Sequence, residues 1–532
     1  MSKASITPLL KYEIVEIIKA NVFPTYANTY VGIGRPIRWG SDDTETANEI
    51  EDVEYTTDVR NQVYRDLMAI KRVAAADTAI VAPRIDWVSG TVYDEYDNTV
   101  ELFSHTSKFT LTGTANASAN IVYANTAVFS GNLALGDIIT MNNETRQIVA
   151  VPNTTSRVVN AAFSYAVTNG TVVRLTDTYP QFANNFYCRN SKDQVFKCLL
   201  NVNDIASTIE PTIDIDGQLP ENPYILTADG YKWKYLYTIP YGLKQKFFTN
   251  NWMPVVSDNA VVVGSVDGRL DVLHITSGGS GYFKDNGELG NSNSLSIITI
   301  TGDGAGAEVT AKVVAGVITD VNILDGGTGY TYANVVISDP DQLANGTAAV
   351  ITALISPPGG HGSNPLKELG CFSVMTSLTL SGTEGGKIPV GTDVYPFDFR
   401  QISLLRDPLL ANGTYANASV YRTTTKLTMT STGGSNYLPD EVVYSGASLA
   451  EATATAVVVA WDSTVNELFV NNVRGTLVAQ VPLVGSTATA AILGIEDPEI
   501  ELFTGDTLYI ENRAKIVRDT DQTEQIRLVL SF

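Results

Sequence analysis

The chain has 532 residues, of which 44% are hydrophobic and 17% charged, with a formal net charge of −22. That length exceeds one ordinary core and predicts two to four domains, and so much apolar material excludes wholesale disorder. The acidic balance repels phosphate backbones and argues against nucleic-acid binding, and no uninterrupted apolar run approaches the roughly 20 residues that a membrane helix needs.

Two helices are predicted near the start. Thr7-Pro8 supplies an N-cap and a first-turn proline, and Leu10, Ile14, Ile17 and Ile18 form one apolar stripe. Lys11, Glu13, Glu16 and Lys19 interrupt that stretch, so a secretory signal is not expected. The second helix begins near Thr57-Asp58, with Val59, Val63, Leu67 and Ile70 on one face and Arg60, Arg65 and Lys71 outside. Beyond Ala75 the period changes to two, and strands are expected.

Three stretches read as inserted β-modules. The first, 107–176, alternates Thr, Val, Ala and Asn and has Gly136-Asp137 as a turn. The second, 263–365, repeats Ser277-Gly278-Gly279-Ser280-Gly281-Tyr282 as Asp325-Gly326-Gly327-Thr328-Gly329-Tyr330, each after an alternating strand. Such glycines suit turns with positive φ, and the repeat predicts duplicated hairpin units sharing a core. The third, 432–496, is another Ala/Val/Thr-rich segment. The remaining pieces, 1–106, 177–262, 366–431 and 497–532, are read as one discontinuous host domain, since insertions at loop tips cost a host little. The fold class expected is mainly β: a β-sandwich-like host with a few helices, α+β overall, carrying small inserted β-domains.

Within the host, Cys188 and Cys198 flank the turn-like Asn190-Ser191-Lys192-Asp193 and could face each other across a hairpin. Two small apolar residues of a reduced protein are the preferred reading. Lys232, Lys234, Lys244 and Lys246 form the longest basic cluster, but aromatics interleave them. Tyr231, Trp233, Tyr235 and Tyr237 at period two fit one face of a strand packed on a core better than a sugar groove.

Catalytic signatures are weak. His105, His274 and His361 lie far apart without metal-ligand spacing. A Cys371–His361 pair is the faintest of nucleophile candidates, because Gly359-Gly360-His361-Gly362 reads as a turn. Gly302-Asp303-Gly304-Ala305-Gly306 and Gly32-Ile33-Gly34-Arg35 lack the Gly-Lys-Ser/Thr ending of a phosphate loop. Asp214-Ile215-Asp216-Gly217 starts like a calcium loop but lacks the twelfth-position ligand. Carboxylate pairs for glycoside cleavage are always possible among 57 acids, yet nothing singles out two. No catalytic residue, metal site or cofactor is therefore expected.

Several host segments carry a resemblance. Ile33-Gly34-Arg35-Pro36 with Trp39, Ala82-Pro83-Arg84-Ile85-Asp86-Trp87 and Asp229 to Pro240 occur in order. They are followed by Phe399-Arg400-Gln401-Ile402-Ser403 with Asp407-Pro408-Leu409, then by Glu511-Asn512-Arg513, Asp521 to Ile526 and Phe532. Together they resemble the baseplate wedge subunit eight family of contractile-tailed (myovirus) bacteriophages, the cyanophage branch above all. The resemblance covers the host pieces and not the three modules. It implies a non-enzymatic structural protein of the virion tail baseplate, synthesised in the host cytoplasm, that forms a homodimer in each wedge and contacts other baseplate wedge proteins. Arg35, Trp39, Arg84, Trp87, Arg400 and Arg513 are the candidates for interface or fold anchors, aromatic and arginine residues being the usual carriers of such contacts. Each has an internal alternative, such as Arg84 with Asp86 or Arg513 with Glu511. A tail adhesin or carbohydrate-binding protein is the alternative function, and a tail-borne glycan hydrolase a third.

Overall fold

The computed structural model describes residues 8–22, 28–40, 50, 56–96, 106–130, 132–133, 137–141, 144–159, 162–163, 166–177, 186–201, 205–213, 224–282, 292–338, 346–388, 397–519 and 521–532. Strands take 48% of the chain and helices 10%, so the fold is mainly β, with several antiparallel sheets and a small barrel. Two compact units divide it. The first holds 1–13, 80–373 and 532; the second holds 14–79 and 374–531. The four stretches read as one host are shared between these units.

Both predicted helices form, with corrections. The first runs Pro8–Ile17 and ends in a π-helical turn, Ile18–Val22; its Thr7 cap lies outside the described residues. Tyr12 and Val15 are its buried positions, while Leu10 and Ile17 of the expected stripe are more than half exposed. Apolar residues on two adjacent faces made the choice of face ambiguous. The second helix is Thr57–Asp66, capped by the Thr56 hydroxyl, which accepts from the Val59 amide at 3.3 Å. It stops at Asp66, and Leu67–Arg72 is a strand. Leu67 and Ile70 therefore belong to a sheet: a strand buried on both faces reads as a continuous apolar run that periodicity alone does not separate from helix.

In the first unit, 106–177 forms an eight-stranded antiparallel sheet whose core, including Leu111, Val122, Phe129, Ile139 and Phe163, comes from within that stretch. Tyr187–Arg189, Gln194–Leu200, Lys232–Thr238 and Ile225–Leu226 form a four-stranded sheet in that order. Tyr231, Trp233, Tyr235 and Tyr237 are all buried there. Cys188 and Cys198 sit on paired strands of this sheet in one core, both as free thiols.

Residues 270–355 build three small sheets around a common core that includes Tyr282, Val309, Ile318 and Val321. The two glycine repeats adopt the same backbone. Gly279 and Gly327 have φ of 61° and 64°, and Gly281 and Gly329 have φ of 82° and 75°. A Cβ at Gly279 or Gly327 would stand 2.5 Å from the carbonyl oxygen of Thr347 or Ala305, so only glycine fits. Both repeat tyrosines, Tyr282 and Tyr330, are turned inward.

In the second unit a five-stranded antiparallel sheet has the order Val420–Arg422, Leu67–Arg72, Thr29–Gly34, Phe397–Arg406, Asp506–Arg518. Ser373–Ser381 and Thr523–Ser531 lie side by side in another sheet. Residues 425–496 close into a six-stranded barrel around Leu427, Val458, Leu468, Val470 and Ile492.

Candidate functional site

Four of the six candidate residues meet in the second unit. Strand Thr29–Gly34 ends where a Cβ on Gly34 would come 2.9 Å from the Asp66 carbonyl oxygen. Arg35 then takes a left-handed backbone, φ 57°, and its amide donates to that same carbonyl at 3.0 Å. The turn lays the Arg35 guanidinium over the Trp39 ring, 3.5 Å from its centroid, a cation–π contact. The Trp39 indole N–H donates to the Arg513 carbonyl at 2.7 Å. Arg400 is completely buried beneath: Nη1 donates to the Pro36 carbonyl at 2.5 Å and to Asp398 Oδ1 at 2.7 Å, and Nη2 to Asp398 Oδ2 at 3.1 Å. This planar fork needs a carboxylate, which Asp398 supplies two residues away on the same strand face. Arg513 remains nearly half exposed, 3.5 Å from Glu511. Segments 33–39, 398–400 and 511–513 are thereby held as one latch.

Further resembling residues serve the same sheets. The Asn28 amide donates to Asp407 Oδ1 at 2.7 Å, and the Gln525 side-chain amide donates to the Ser377 hydroxyl at 2.7 Å. Arg518, fully buried, pairs with Glu524 and donates to the Gly382 carbonyl.

Arg84 and Trp87 lie in the first unit. Arg84 grips Asp86 Oδ2 through Nε and Nη2 at 2.9 and 2.5 Å, and Arg189 grips Asp86 Oδ1 at 2.7 Å. Both guanidinium groups also face the Phe248 ring, 4.5 and 4.8 Å from its centroid. Burial works to raise the Asp86 pKa, but the hydrogen bonds and charges of the two arginines outweigh it and hold the carboxyl below the usual range. Trp87 donates its amide to the Arg189 carbonyl at 2.8 Å and its indole N–H to Ser207 Oγ at 3.2 Å. Asp229, which opens the aromatic strand motif, accepts from the amides of Thr208 and Ile209 at 2.7 and 2.9 Å.

In one constellation only His361 carried a sequence signal. In the first unit Lys197 and Glu368, both buried, form an ion pair, and the Gly362 amide donates to Glu368 Oε1 at 2.6 Å. His361 stands edge-on to Tyr96 with ring centroids 5.0 Å apart. Its two nitrogens lie 3.9 Å from Glu368 and from Asp271. Burial, then the Lys197 charge, push the imidazole down to about 4 despite those carboxylates. Glu368 is pulled the other way from its burial, down to about 2, chiefly by Lys197. Lys197 is lowered by burial, which Glu368 opposes.

Cys371 is fully buried and burial alone raises its thiol, the reverse of what a nucleophile needs. Among the described residues no group of three or more His, Cys, Asp or Glu side chains could hold a metal ion. His105 and Asp214-Ile215-Asp216-Gly217 lie outside the described residues. An open depression of about 280 Å³, lined by Ile298, Ile300, Ala307, Val309 and Leu324 among others, has Glu308 as its ionisable group. No helix among the described residues is long and apolar enough to cross a membrane.

No protein-family model matches the chain, and no curated protein matches it either.

Proposed function

We propose that this chain is a structural, non-enzymatic subunit of a contractile phage tail, a baseplate wedge protein that forms a homodimer and links other wedge proteins in the virion. The observation that supports this reading best is the latch. Arg35, Trp39, Arg400 and Arg513 come from three of the segments that carry the resemblance, and their side chains bind backbone carbonyls, a ring and a carboxylate of the same unit. Residues that tie three segments into one body in this way suit a part whose work is to hold neighbours at fixed spacing. The acidic surface keeps such a subunit soluble before assembly. In this reading the protein is made in the host cytoplasm and ends in the tail baseplate.

Co-expression with sheath, tube and wedge proteins from the same phage tests the proposal. A dimer that co-sediments with wedge partners is expected; a monomer that joins none of them removes it. The adhesin reading loses part of its motive, because Tyr282 and Tyr330 of the glycine repeat are buried and offer no stacking platform. Glycan binding by the full-length chain would restore it.

A further inference from the structure

The turn before barrel strand Val442–Ser445 holds a poorly matched carboxylate. Asp440 has a left-handed backbone, φ 69°, and its amide donates to the Val458 carbonyl at 3.0 Å. Its side chain is only 14% exposed. Oδ2 lies 3.6 Å from Arg38 Nε, longer than an ordinary hydrogen bond, and Oδ1 is buried without a hydrogen-bond partner. Asp398, by contrast, is satisfied by both Arg400 nitrogens.

The charged groups that face Asp440 among the described residues are Arg38, from the segment after strand Thr29–Gly34, and Asp398 and Arg400, from strand Phe397–Arg406. Barrel strand Ala454–Asp462 contributes the Val458 carbonyl. The neighbouring Glu441 is turned to the amides of Leu438 and Ser486. A buried carboxylate whose cations are either distant, as Arg38 is, or already paired, as Arg400 is, with a like charge nearby, is the arrangement that favours a bound proton.

We propose that Asp440 is a proton-operated catch between the barrel and segment 35–39. Protonated, it is a neutral group beside the Asp398–Arg400 pair. Ionised, it is a buried negative charge that burial and Asp398 oppose and that Arg38, 3.6 Å away, offsets only in part, and the segment is loosened. Burial first, then the Asp398 charge, raise the carboxyl to about 7 against the pull of Arg400 and Arg38, so the change falls near neutrality. The sign follows. The folded value lies above the ordinary 3.8, so the contribution to stability is complete below about pH 4 and is lost as pH rises through about 7.

The test uses the full chain and its D440N and R38Q variants, with unfolding midpoints measured from pH 5 to 8.5 and amide exchange of residues 35–39 measured alongside. Asn accepts the left-handed backbone as Asp does. Expected is a loss of wild-type stability relative to D440N over this interval, leaving the variant the more stable at pH 8. Protection of 35–39 is expected to fall a few-fold with a midpoint near 7 in the wild type and to stay level in D440N. R38Q removes a cation and should move that midpoint to higher pH. A D440N profile parallel to the wild type overturns the proposal. Should D440N fail to fold, an unmoved midpoint in R38Q overturns it.

Discussion

Two buried charge groups, one in each unit, solve the same problem differently. In the first unit Lys197 meets Glu368 directly, Gly362 adds an amide, and His361 stays neutral between two carboxylates. In the second, Arg400 and Asp398 are matched while Asp440 is left with a distant partner. Ion pairs withdrawn from water are stable only when geometry and hydrogen bonds compensate for lost hydration. The direction of the pH response differs accordingly: the first group, where burial keeps His361 neutral and Lys197 holds Glu368 ionised, weakens in acid, and the second, where burial favours a proton on Asp440, weakens in base.

Breaking the Lys197–Glu368 pair should have the largest effect. Glu368→Gln leaves Lys197 as an uncompensated buried cation and is expected to cost about 4 kcal/mol in urea unfolding. A loss under 1 kcal/mol would erase the contrast. Arg400→Met strands Asp398 and frees the Pro36 carbonyl, and about 3 kcal/mol is expected by the same measurement.

Acid titration sharpens the difference. His361 is lowered to about 4 in the folded chain, so its contribution is complete above the ordinary 6.5 and is lost as pH falls towards 4. Glu368, at about 2, adds a loss that begins below 4.5. The imidazole alone accounts for a decline on the order of 3 kcal/mol, since each unit is worth about 1.4 kcal/mol. His361→Phe should flatten the decline between pH 6.5 and 4 in thermal melts; an unchanged slope there would refute the assignment. The smallest effect belongs to Trp39→Phe. It keeps the ring under Arg35 and removes the indole donor to Arg513, for about 1 kcal/mol.

What could be read in advance was local. Alternation of Tyr231, Trp233, Tyr235 and Tyr237 marks a buried strand because period two is a property of neighbours, and the paired glycine repeats declare their turns for the same reason. Arg84 stands two residues from its own carboxylate, as Arg400 does from Asp398. Partners distant in the chain left no such trace. Lys197 and Glu368 are 171 residues apart, and Trp39 and Arg513 are 474 apart, so no window along the chain contains both halves. The helix-to-strand change at Leu67 was hidden because tertiary burial on both faces, and not a breaker residue, causes it. Asp440 was invisible as a chemical group: its character comes wholly from what folding removes from around it.

Closure of the 425–496 segment has a consequence of its own. Runs such as Ala454–Asp462 and Thr489–Glu496 combine Ala, Thr and branched aliphatic residues with little charge, the make-up of segments that add onto foreign strands and grow fibrils. Rolled into a ring, each finds its ladder partners inside the same molecule, which leaves far less open edge to recruit another chain. A composition hazardous in an open sheet thus becomes inert, and the slenderest join, the single Tyr444–Val484 pairing, is where that protection would first give way.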